Sequence, residues 1–280
     1  MKQRIITALI LAPLVILSIF MLPLPWFVAA MSVVTLLGFW EWTQFVGARS
    51  RWLALLPALI VGGGTLVMMP FDASGLNHLS SSHYSLLYIG AIWWVLASVL
   101  ALVYPKWSHT WQHSSLLRHL FGLLTLLPFV WSVLMLRAEG IDSDPYHGAK
   151  LVLFVCLLVW AADSGAYFVG KSLGKRKMAP NVSPNKTIEG LLGGIVTAII
   201  VAWIAASLFD ITFTSQTSMI VTTLLTVVIS VLGDLVESMF KRVSGIKDSS
   251  NLIPGHGGIL DRIDSLTAAF PIFALLYFIF

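Results

Sequence analysis

Charge is what this sequence has least of. Only 11% of its 280 residues are Asp, Glu, Lys or Arg, while 58% are hydrophobic, and the mean hydropathy is +0.88. That balance excludes an ordinary water-soluble domain and points to an integral membrane protein. Cysteine is nearly absent as well. The single Cys156 lies in an apolar run, so no internal disulfide can form, and it reads as a small core residue. No long repeat or low-complexity linker occurs, and no nucleic acid partner is expected.

What the chain has in quantity is long apolar runs. A bilayer core takes about 20 apolar residues per helix, and nine segments qualify: about 5–22, 25–45, 52–70, 85–104, 119–136, 150–170, 187–209, 218–240 and 263–280. The first follows Lys2 and Arg4 and could be taken for a signal peptide, but it is longer than a signal core, so it reads as a retained span. When the basic residues are sorted by connecting segment, fifteen of the 17 fall on one side; only Arg137 and Lys150 fall on the other. Positive charge stays in the cytoplasm. The expectation is an all-α protein of about nine transmembrane helices, N-terminus cytoplasmic and C-terminus opposite, in the cytoplasmic (inner) membrane. It forms one membrane-embedded unit, residues 1–280, with scaffold helices over about 1–136 and catalytic helices and cytoplasmic loops over about 150–280.

Within the scaffold, Glu41 lies beside Trp40 and Trp42 and reads as an interfacial carboxylate in an aromatic belt. The segment from Lys106 to His119 carries three histidines and two tryptophans, and it reads as an interfacial amphipathic stretch rather than a metal site. Asp163 stands inside the sixth span, where an ionisable residue is expensive and marks function. The run GAYFVGKS, 165–172, has the spacing of a nucleotide-binding P-loop, but Ala-Tyr-Phe-Val suits a membrane helix and not a phosphate cradle. The loop that follows, Lys171 to Lys186, holds five cations before a helix start, a place that favours anions such as a triphosphate or a lipid headgroup. Ser183 or Thr187 could cap that helix, with Glu189 in its first turn. Gly190, Gly193 and Gly194 suggest close helix packing.

The densest polar stretch is Gly233 to Asp264, GDLVESMFKRVSGIKDSSNLIPGHGGILDRID. Ser230, Asp234, Glu237, Ser238 and Lys241 share one helical face. Carboxylates one turn apart suit a hard divalent cation such as Mg²⁺. Pro254 to Gly258 gives a mobile backbone with exposed amides. Asp261 and Asp264 form a second pair, and two pairs could support a two-metal phosphoryl or nucleotidyl transfer.

The run from Ser238 to Asp264, SMFKRVSGIKDSSNLIPGHGGILDRID, resembles the full signature of the phosphatidate cytidylyltransferases, or CDP-diacylglycerol synthases. The stretches around Asp163 and around Ser183 to Gly190 resemble that family too. The resemblance implies Mg²⁺-dependent condensation of CTP with phosphatidate to CDP-diacylglycerol and pyrophosphate, for phospholipid biosynthesis, at the cytoplasmic face of the membrane. It puts metal binding on Asp234 and Asp261, with Asp264 and Glu237 after them, for one Mg²⁺ or two metal ions. Catalytic roles are expected of Asp163, Lys241, Arg242, Lys247, Asp248, His256 and Arg262. Substrate contacts are expected of Ser183, Asn185, Lys186, Thr187, Glu189 and Ser238. Membrane lipid and a second copy of the chain, as a homodimer, complete the expected partners.

Other readings are weaker. A cation-coupled transporter would place its acids near mid-membrane on broken helices, often in repeated halves. A CTP-dependent lipid kinase shares the charge logic but yields CDP and a lipid phosphate. The CDP-alcohol transferases are disfavoured because no Asp-Gly-x-x-Ala-Arg run occurs.

Overall fold

The structure, a computed structural model, describes residues 2–255 and 257–280. The chain folds almost wholly into helices: α1 (Lys2–Met21), α2 (Leu24–Val46), α3 (Arg51–Met68), α4 (Ala73–Asn77), α5 (Ser81–Val103), α6 (Ser115–Ala138), α7 (His147–Leu173), α8 (Ile188–Phe209), α9 (Gln216–Val243) and α10 (Leu260–Ile279). Eight of these, α2, α3 and α5 to α10, are long and apolar enough to cross a membrane, and α1 is apolar over Leu9–Met21. This is an all-α integral membrane protein.

Several helices begin before their apolar windows because polar residues cap them. Ser114 accepts from Leu117 N at the start of α6, and Ser215 and Ser218 form a reciprocal capping box on α9. Such caps satisfy amides that the first turn leaves free. One short element is not helical. The basic loop after α7 folds into a small antiparallel hairpin, β1 (Lys177–Ala179) with β2 (Ser183–Thr187).

Among the described residues, two large apolar cores fill the bundle, and Ala162, Ala198 and Val227 form a third, smaller one. Of the large ones, the one away from the site gathers Ile19, Leu24, Leu136, Phe154 and Phe273; the one beneath it gathers Phe39, Trp42, Trp94, Leu235, Phe240 and Leu260. α7 and α8 pack backbone to backbone, as the glycines suggested. A methyl group at Gly194 would stand 2.7 Å from the Ala162 carbonyl oxygen, and one at Gly190 3.0 Å from that of Ala166. Small residues allow this approach, which gains dispersion energy where lipid offers no hydrophobic drive. Gly233 does the same between α9 and α10, where an added methyl would lie 2.6 Å from Ala268 Cβ. That contact brings the carboxylate ends of α9 and α10 side by side.

Candidate active site

Four elements meet at one end of the bundle: the last turns of α7 and α9, the hairpin, and the first turn of α10. The polar stripe on α9 faces the other three. Lys186, at the end of β2, pairs with Asp234 at 2.7 Å and donates to the Val231 carbonyl at 3.0 Å. Ser238 donates to the other oxygen of Asp234 at 3.2 Å. Asp163 on α7 lies within electrostatic reach of both Lys186 and Asp234.

One turn further along α9, Lys241 bridges two carboxylates. Its Nζ lies 2.8 Å from Asp261 Oδ1 and 3.2 Å from Glu237 Oε1. Glu237 is buried, and that oxygen has no hydrogen-bond partner despite its ion pair. Asp264 accepts from Ser265 N at 2.7 Å and stands close enough to Glu237, Asp234 and Lys241 to interact with each electrostatically. Asp261 is engaged on both oxygens: Oδ2 accepts from Ser249 N, Ser249 Oγ and Gly258 N, at 2.8, 2.9 and 2.8 Å. The family resemblance puts metal binding on Asp234 and Asp261 ahead of Asp264 and Glu237, yet the fold gives Asp261 four protein donors and leaves Glu237 and Asp264 less satisfied. Among the described residues, no three His, Cys, Asp or Glu side chains form a ready metal cage.

The remaining expected residues fall around this network. Arg242 is exposed and donates to the Val182 carbonyl at 3.3 Å, so it braces the hairpin. Thr187 caps α8 through Gly190 N, while Ser183 and Asn185 lie along β2. Glu189 does not face the carboxylates; it accepts from Lys175 N and from Arg176 N and Nε, which pins the entry to the hairpin. Lys247, Asp248 and Arg262 line an open pocket of about 530 Å³ with Asn251, Pro254 and Gly257. His256 lies outside the described residues.

Two expectations about the scaffold are corrected. Glu41 is fully buried, not interfacial, and its carboxylate faces four donors: the Ser249 and Ser250 hydroxyls of the loop before α10 and the amides of Ile259 and Leu260. A carboxylate between belt tryptophans gives no sequence signal of its depth. The segment between α5 and α6 is not only an interfacial anchor. Its Trp111 is buried edge-on to Phe240 at 5.4 Å, and Trp42 lies 4.9 Å from the same ring. Phe240 precedes Lys241, so this aromatic cage fixes the α9 turn that carries the lysine. His119 meanwhile contacts the Ala54 and Ser115 carbonyl oxygens, so it serves helix packing.

Fold and site together define a helical membrane protein with alternating lysines and carboxylates gathered at one end of the bundle. A model described as the cytidylyltransferase family matches residues 2–280. A protein of Haemophilus influenzae is 46% identical over 284 residues, covering 99% of each chain. One of Pseudomonas aeruginosa is 42% identical over 280 residues, covering 99% of this chain and 96% of its own. One of Bacillus subtilis is 35% identical over 285 residues, covering 100% of this chain and 97% of its own. All three are named phosphatidate cytidylyltransferase. The chain therefore belongs to the cytidylyltransferase family, among the phosphatidate cytidylyltransferases, and is an enzyme of the nucleotidyltransferase class.

Proposed function

We propose that the chain transfers the cytidylyl group of CTP to phosphatidate, giving CDP-diacylglycerol and pyrophosphate. The observation that best supports this is the alternation Lys186–Asp234 and Lys241–Glu237/Asp261 at one end of the bundle. Each lysine is held by carboxylates but can exchange them for phosphate oxygens, so two polyanions can be brought together with their charge compensated. A phosphatidate oxygen attacks the α-phosphorus of CTP; a new P–O bond forms, and the bond to the β-phosphate bridging oxygen breaks, with pyrophosphate leaving. No protein nucleophile takes part in this scheme.

The donor set fits a hard divalent cation. Mg²⁺ uses one or two carboxylates and takes its other oxygens from water and substrate phosphates. The buried Glu237 oxygen, held by the Lys241 ion pair without a geometric hydrogen bond and with Asp264 and Asp234 beside it, suits that role better than the fully engaged Asp261. When bound, the cation neutralises phosphate charge and orients the triphosphate. Lys186 and Lys241 bind and orient phosphate oxygens, Asp163 steadies Lys186, and Asp261 holds the loop that carries Lys247 and Asp248. Arg262 and Lys247 add positive charge at the open pocket.

The distribution of basic residues supports placing this end at the cytoplasmic face, in the inner membrane of a bacterial cell. A homodimer belongs to the same reading. The deciding experiment is incubation of the purified chain with labelled CTP, phosphatidate and Mg²⁺. A CDP-lipid with equimolar pyrophosphate supports nucleotidyl transfer; CDP with a newly phosphorylated lipid would reassign the chain as a kinase.

A further inference from the structure

α10 begins without a cap of its own. Ile259 occupies the capping position and has no side-chain acceptor to offer, yet amides in a helix's first turn need partners. Glu41 supplies them from another helix. Its Oε1 accepts from Ile259 N at 2.9 Å and from Ser250 Oγ at 2.6 Å. Its Oε2 accepts from Leu260 N at 2.7 Å and lies 2.9 Å from Ser249 Oγ. A negative charge there also complements the helix dipole.

The same Ser249 hydroxyl lies 2.9 Å from Asp261 Oδ2. A hydroxyl has one proton to donate, so one donor serves two carboxylates that come from helices more than 200 residues apart in sequence. Gln44, one turn beyond Glu41 on α2, donates its Nε2 to the Ser249 carbonyl, so α2 holds Ser249 at both ends. Gly258 leaves room for this junction: a methyl group there would collide with both Ser249 Oγ and the Glu41 carboxylate. Asp261 in turn anchors Lys241 at 2.8 Å.

We propose that Glu41 is a positioning residue of the site: through Ser249 and the first turn of α10, it sets where Asp261, and with it Lys241, stands. The catalytic consequence rests on the nucleotidyl-transfer reading above; the positioning itself does not.

The test uses the full chain in lipid nanodiscs, comparing Glu41→Gln, Glu41→Asp and Ser249→Ala with the parent. Amide exchange is followed over residues 246–262, and CDP-lipid formation is measured at varied CTP. Glu41→Gln turns an amide NH₂ toward donors. It should speed exchange about tenfold or more at Ile259 and Leu260, and equally at Ser249 and Gly258, whose amides bond to Asp261. Its kcat should fall about a hundredfold with KM for CTP held within about threefold, and Glu41→Asp should recover part of the loss. Ser249→Ala keeps the Glu41 cap on α10, so it should lower the melting temperature less than Glu41→Gln does while kcat falls about tenfold. Exchange that rises only at Ile259 and Leu260 overturns the proposal. So does an unchanged kcat in Ser249→Ala, or a loss in Glu41→Gln that merely tracks the fraction of folded protein. If the parent makes no CDP-lipid, the functional reading falls, and the exchange pattern still decides the positioning.

Discussion

Lys241 on α9 and Asp261 on α10 meet at 2.8 Å across a loop that neither helix could place alone. The ammonium also faces Glu237 at 3.2 Å, so one cation compensates two buried carboxylates. Replacing it with methionine leaves both uncompensated, which costs about 3–5 kcal/mol for a buried pair. Lys241→Met should lower the melting temperature and abolish CTP turnover. Adding Glu237→Gln should restore part of the stability and none of the activity, which a melting curve and an assay on the same preparation can show.

Asp261→Asn keeps the size of the side chain and loses its symmetry as an acceptor. Its amide nitrogen must face either the Lys241 ammonium or the Ser249 and Gly258 donors. Turnover should drop by about two orders of magnitude or more while membrane insertion persists, because the apolar helix faces are untouched. Measurable Mg²⁺-dependent turnover near the parent rate in folded protein would remove Asp261 from the site.

Lys186 and Asp234 form the second exchangeable pair. Lys186→Ala should raise KM for CTP about tenfold, since a phosphate contact is lost. Asp234→Asn combined with Lys186→Ala should lose less than the product of the single effects, because the two residues share one interaction. Strictly multiplicative losses would show that they act apart.

Trp111 carries a prediction about a segment that looks peripheral. Truncating a buried aromatic costs about 3–5 kcal/mol, and here the cavity would open beside Phe240. Trp111→Ala should therefore reduce both thermal stability and kcat, whereas Trp107→Ala, at an exposed position in the same segment, should change neither measurably.

At the opposite end of the bundle, burial raises the Glu139 carboxyl above its ordinary range, with His147 opposing the shift. A raised acid is easier to ionise when unfolded, so folding is favoured below the unfolded pKa and loses that contribution as pH climbs through the folded one. Glu139→Gln should consequently stabilise the protein at neutral pH, and the difference should shrink as pH falls below the usual carboxylate range. Melting temperatures measured from acid to neutral pH check the sign.

The sequence reveals features that repeat with helical period and hides those set by depth. The α9 stripe and the glycine contacts of α7 with α8 are legible because spacing alone assigns them to one face. Glu41 and Trp111 are not, because a tryptophan or a carboxylate near a span's end has the same sequence context whether it lies at the lipid interface or under a loop. The hairpin at 177–187 is hidden for another reason: its strands are three and five residues long, and one contains Pro184, which argues against a strand. The state of Asp261 is likewise unreadable, since donors to a carboxylate from Ser249 and Gly258 depend on a loop path that has no periodicity.

The grip of α2 on the loop before α10 makes the site a product of both ends of the polypeptide. If the gene were divided in the 139–146 turn region and the halves produced together, each fragment would carry only part of the hydrogen-bonded junction. The second fragment would hold every lysine and carboxylate of the charged network yet lack the two α2 side chains that seat Ser249. Reassociation in one membrane should therefore be a condition for turnover, and neither fragment alone should suffice.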